Sequence, residues 1–283
     1  MRSAVVAMCA FGLLVASLLS YGTAVSSDYS QKSEAELIDD LTQIDSESVA
    51  INARYWPAGF IAEETPAALR TNRYGMVFPD AAPQMRELVR RGPLALPELL
   101  KHLDDKRLTK LDVGGFGVFG AKWFGDEYSP RIRDSQPSGL DPSWTPKSFT
   151  TYTLRVGDIC YALIGQIVNR RLQTLQPIPS GLLQVNSPLM APVLIEKIGK
   201  DWGKGEAETL KASLMADIHG TSGPFQNIHT EQEDLYTKIV VNPALRRLRL
   251  YFPDTYNALA GDDLTRKLEF ERQDATPKPV SSR

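Results

Sequence analysis

The side chains best suited to hold a metal ion gather around one polar loop. Asp217 and His219 precede a Gly/Ser/Pro stretch, and His229 and Glu231 follow it, with Glu233 and Asp234 just beyond. A catalytic zinc takes three nitrogen or oxygen ligands and keeps one position open. His219, His229 and Glu231 are therefore the candidate set for a metal-dependent hydrolase. It is a weak set, because the spacing does not match H-E-x-x-H and paired His residues in a polar loop ordinarily serve as solvated or capping groups. The expectation is no metal and no cofactor. His102 is expected on the surface.

Other reactive patterns are no stronger. Gly115-Phe-Gly117-Val-Phe-Gly120 fits G-x-G-x-x-G. Dinucleotide binding by that motif needs an apolar strand before it and a helix opening after it. Polar Asp104–Lys110 upstream and Ala121–Gly125 downstream suit neither, which leaves a glycine-aromatic hairpin or loop as the better reading. Gly220-Thr-Ser222-Gly223-Pro224 departs from the nucleophile elbow at Pro224. Cys160 lies on an apolar helical face with no local His, so it reads as a small buried hydrophobe. A glycosidase pair of carboxylates has no spacing to read, because the separation it needs is spatial.

The richest binding chemistry lies in residues 109–150. Phe116, Phe119, Trp123, Phe124, Tyr128 and Trp144 crowd this stretch, with Arg131 and Arg133 among them. Long loops often carry binding, and Trp, Tyr and Arg are typical anchors. Trp123, Phe124, Tyr128, Arg131 and Trp144 are the candidate partner-binding residues, suited to stacking on a glycan or a protein. The competing reading is that these rings fill a second small core.

Helices must position that insertion. Ser33 and Glu36 form a capping-box pattern ahead of Leu37, Ile38, Leu41 and Ile44. Residues 46–80 lose the period and read as an ordered arm over the core. Helices follow at about Pro83–Arg91 and Leu96–Leu103. After the insertion they resume at Val156–Leu172, where one apolar face is marked and Arg170 and Arg171 suit the C-terminal dipole. Further helices are expected at Leu189–Ile198, Glu206–Ile218, Glu231–Val241, Pro243–Tyr251 and Asp263–Arg272. Asn242-Pro243 reads as an N-cap followed by Pro at the first helical position. Arg246, Arg247 and Arg249 read as the basic polar side of an amphipathic helix, open to an acidic partner.

Gly92–Leu103 and Ser187–Ile198 align without gaps, sharing a Pro-Leu pair, a second Pro and an apolar stripe. Ala95-Leu96-Pro97-Glu-Leu-Leu-Lys-His-Leu103-Asp104-Asp105 resembles the first helix and turn of a HEAT-type repeat. Val156–Ile167, ending Ala162-Leu-Ile-Gly165-Gln-Ile167, resembles the second. The resemblance implies packed helix pairs that present a surface to partners, usually without catalysis. Two departures stand out. Residues 104–155 split the pair, and Gly157 replaces the Arg that usually follows Val.

Arg2, the apolar run Val5–Leu19, and small Gly22-Thr23-Ala24 have the layout of a secretory signal peptide. The chain is therefore expected to be exported, periplasmic or extracellular, with membrane attachment only through an uncleaved signal. Cys9 falls inside the apolar run, so Cys160 would be alone and without a disulfide partner in the mature protein. The sequence is 42% hydrophobic and 23% charged with a net charge of -2, so no global positive field points to nucleic acid.

The expected organisation is residues 1–24 as signal, 25–80 as an N-terminal helix and arm, 81–273 as an α-helical domain with insertion 109–150, and 274–283 as a disordered tail. The expected fold is mainly α, built from packed helix pairs as in a HEAT-like or irregular α-solenoid, with an irregular or β-hairpin insertion. The expected role is non-catalytic binding of a protein or glycan partner. An exported metal-dependent hydrolase and a structural envelope component are the alternatives.

Overall fold

A computed structural model describes residues 28–47, 51, 60–63, 80–120, 148–177, 183–220 and 236–275. The chain divides into two units, Met1–Gln31 and Lys32–Arg283. In the first, the described residues form a short 3-10 turn, Tyr29–Gln31, where Asp28 accepts hydrogen bonds from the Ser30 backbone and hydroxyl. Residues 1–24, read above as a signal, lie outside the described residues. Among those described, no helix is long and apolar enough to cross a membrane.

In the second unit Ser33 caps α1 (Glu34–Asp39) with the capping box its sequence predicts. A 3-10 turn, Asp40–Gln43, continues it, and Leu37, Ile38, Leu41 and Ile44 are all buried. Next come α2 (Pro83–Arg91) and α3 (Leu96–Lys101). Gly92 separates them at φ +54°, and a Cβ there would collide with the Tyr251 ring. Only glycine meets both demands at that turn.

The centre is α4 (Val156–Val168). One apolar face was expected; instead all 13 residues are buried, as befits a helix packed on every side. It touches α2, α3 and α6 (Ala207–His219). It stops short of the predicted Leu172 because Asn169 turns left-handed at φ 59°, its N–H bonding to the Gly165 carbonyl. The helices likened to a HEAT pair, α3 and α4, pack together with the insertion between them.

Of the two readings of that insertion, its root is a strand pair. β1 (Leu108–Gly120) runs antiparallel to β2 (Ser148–Arg155). Thr109, Leu111 and Val113 are buried while Lys110 and Asp112 are exposed, the two-residue alternation of a half-buried strand. β3 (Leu175–Pro177) and β4 (Leu183–Val185) complete a sheet in the order β2-β1-β4-β3, with β4 parallel to β1. Neither of these two short strands is legible in the sequence. Near the start of β1 the register shifts. There the Thr109 hydroxyl donates to the Leu154 carbonyl (2.9 Å) and accepts from the Leu111 N–H, while the Lys110 N–H reaches the Ile44 carbonyl at 2.8 Å. Gly115–Gly120 thus lies within a strand, not at a strand-to-helix turn, which removes the dinucleotide reading.

The C-terminal elements are α5 (Val193–Trp202), α6, α7 (Asn242–Tyr251), α8 (Pro253–Asn257) and α9 (Gly261–Ala275). Asn242 does not cap α7. A π-helical turn, Thr237–Val241, runs straight into it with Asn242 already helical. Pro243 has no N–H for the usual i→i−4 bond, and a wider turn accommodates that loss. α9 reaches Ala275, so residue 274, expected to open the disordered tail, is helical.

Candidate functional site

A lone carboxylate in the apolar sequence of α4 builds a buried polar cluster. Asp158, in the first turn, accepts from the Arg155 N–H at 2.9 Å. Tyr152, an inward residue of β2, donates its hydroxyl to Asp158 at 2.8 Å, and Arg155 Nη1 donates to that Tyr152 oxygen at 2.9 Å. Ser187, on the turn after β4, donates its hydroxyl to the other carboxylate oxygen and accepts from the Leu189 N–H. Thr174 Oγ1 donates to the Asp158 carbonyl at 2.6 Å. Burial pushes the Asp158 carboxyl above its ordinary range, against the hydrogen bonds from Ser187, Arg155 and Tyr152. A serine hydroxyl on a carboxylate could in principle be activated. Here Ser187, Asp158 and Thr174 are each 0% exposed, so no substrate reaches them. The cluster ties β2, α4 and the turn after β4 together.

Asp217 forms a second cluster. It is 0% exposed and accepts from Asn169 Nδ2 (2.8 Å) and Arg170 Nη1 (2.7 Å). Arg170 also reaches Ser213, and Asn169 the Val240 carbonyl. Arg170 therefore does more than answer the dipole of α4; it holds α6 against the helix end. Arg247 lies inward rather than on a basic polar face. It donates to the Gln166 carbonyl (2.6 Å) and the Pro243 carbonyl (2.9 Å), with its guanidinium 4.5 Å from the Phe60 ring centre. Burial pulls that guanidinium down to about 10.

Arg246 and Arg249 face outward and find acidic partners within the chain. Both bind Glu63 (2.6 and 3.0 Å) and both bind Asp274 of α9. Burial opposes the charge of Arg249, but Glu63 and Asp274 outweigh it and raise its affinity for the proton.

Of the metal candidates, His219 ends α6 and its Nε2 lies 2.7 Å from Asp263 of α9. Asp217 turns inward while the His219 side chain is 46% exposed, so these two do not converge. His229 and Glu231 lie outside the described residues. Among the described residues, no group of three His, Cys, Asp or Glu is placed to hold a metal. Trp123, Phe124, Tyr128, Arg131 and Trp144 also lie outside the described residues, on the chain between β1 and β2. His102 is half-buried, against Asp105 and Glu98. Cys160 is fully buried, and burial pushes its thiol far up.

Sequence reasoning missed Asp158 and Arg247 as organising residues. A single Asp within Val156–Val168 was the available signal for the first. For the second, the signal was helical spacing to buried Ala244 and Leu248. Neither a protein-family model, nor a curated protein, nor a solved structure matches the chain.

Proposed function

We propose that the protein is an exported, non-catalytic α-helical binding protein that presents the chain between β1 and β2 to a protein or glycan partner. The helix pair α3–α4, HEAT-like in sequence, serves as the platform. One observation carries the reading: both ends of the insertion are tied into the most deeply buried part of the fold. The Val156 N–H bonds to the Arg107 carbonyl at 2.9 Å, Thr109 holds Leu154, Lys110 holds Ile44, and Tyr152 is anchored on Asp158. A loop raised on a rigid base is the usual arrangement for binding. The buried charged groups serve to join elements, which suits a scaffold.

The test is the double variant Trp123→Ala/Tyr128→Ala, assayed by pull-down from envelope extract and on a glycan array. Loss of capture with unchanged helical circular dichroism supports the reading. Unfolding of the variant makes the rings a second core and overturns it. A stoichiometric zinc ion in the purified protein would favour the hydrolase built on His219, His229 and Glu231.

A further inference from the structure

The C-terminal helix α9 is held differently from α4. Among the described side chains of α9 only Phe270 is fully buried, at 1% exposure, while Leu264 and Leu268 are exposed. Its other attachments are polar and reach solvent. Asp263 meets His219, Arg266 Nη1 donates to the Ile218 carbonyl (2.8 Å), and Glu271 accepts from Tyr256 (2.9 Å). Lys267 Nζ donates to the Tyr256 carbonyl, and Asp274 binds Arg246 and Arg249. Phe270 itself sits beneath the same two arginines, each guanidinium 5.3 Å from its ring centre. By contrast every residue of α4 is buried.

We infer that α9 is a detachable strap, an acidic-aromatic helix of the chain's own that occupies a dibasic seat formed by Arg246 and Arg249. The seat takes an acidic segment carrying one aromatic ring. Its anchors are the Phe270 ring under the guanidinium pair and the Asp274 carboxylate across it. Glu63 holds both arginines from the other side, which keeps the seat formed when the strap leaves. Ion pairs this exposed are screened as the Debye length falls from about 10 Å at 0.1 M salt to about 3 Å at 1 M. A freed helix of this length does not hold its shape alone in water. Opening therefore shows as local loss of amide protection. The seat is built from Glu63, Arg246, Arg249 and α9 and does not rest on the binding role proposed for the β1–β2 insertion.

The experiment is hydrogen–deuterium exchange on the full chain at 50 mM and 1 M NaCl. Amides of Gly261–Ala275 should exchange at least about tenfold faster at high salt while α4 stays protected. Equal protection of α9 at both salts, or loss only together with α4, overturns the inference. A second measurement uses the full-chain variant Phe270→Ala/Asp274→Asn, with α4 protection checked first. A fluorescent peptide of residues 261–275 should bind this variant at low salt and not at 1 M. Binding should be lost when Arg246→Glu/Arg249→Glu is added. Peptide binding indifferent to those two arginines overturns the seat.

Discussion

Asp105 and Asp158 stand on either side of the start of α4 and depend on pH with opposite signs. Burial opposes ionisation of Asp105, but hydrogen bonds from Arg107 and His102 outweigh it and hold the carboxyl at about 2. A depressed acid contributes stability above its unfolded value, near 4, and loses it as pH falls through about 2. Asp105→Asn should cost about 1–2 kcal/mol at pH 7 and much less at pH 2, read from urea melts at the two pH values. Asp158 is raised by burial. Its protonated form is favoured in the fold, so its contribution is full below about 4 and is lost as pH rises through the folded value. Asp158→Asn should flatten that alkaline decline. Asp158→Ala should cost about 3 kcal/mol at low pH, because the Tyr152 and Ser187 hydroxyls and the Arg155 N–H lose their acceptor, and less as pH rises and the wild type declines; the same melts check both.

Among the elements, the start of α4 closes tightly against the turn after α3. The Gly157 N–H bonds to the Asp105 carbonyl at 3.0 Å, and a Cβ on Gly157 would lie 2.6 Å from the Leu103 carbonyl oxygen. This accounts for glycine at position 157: the start of α4 meets the turn after α3 backbone to backbone. Gly157→Ala should destabilise by about 1–3 kcal/mol, seen as a lower thermal midpoint, and Gly157→Arg should do more. Elements with a periodic apolar face were legible, as α1 and α2 show. β1 was not. Thr109, Leu111 and Val113 alternate inward, but polar Lys106–Lys110 before them and the glycines from Gly114 onward hid a short period-two signal. The π turn before Pro243 was equally hidden, since Asn-Pro more often opens a helix than continues one.

At the scale of the molecule, α4 is the shared core, and Cys160 within it is a built-in reporter. The thiol is fully buried and its ionisation suppressed. Alkylation by a maleimide should be negligible in the folded protein and should rise in step with global unfolding across a urea series. Labelling ahead of the circular dichroism transition would reveal separate opening of the core. The groups that enclose α4 come from distant stretches. Ile61 meets Gln166 from before it in sequence, and Ser187, Asp217 and Arg247 come from after it. During synthesis the central segment has no finished environment until Arg247 has left the ribosome. A chain built this way can close its central packing only after most of its length has been made.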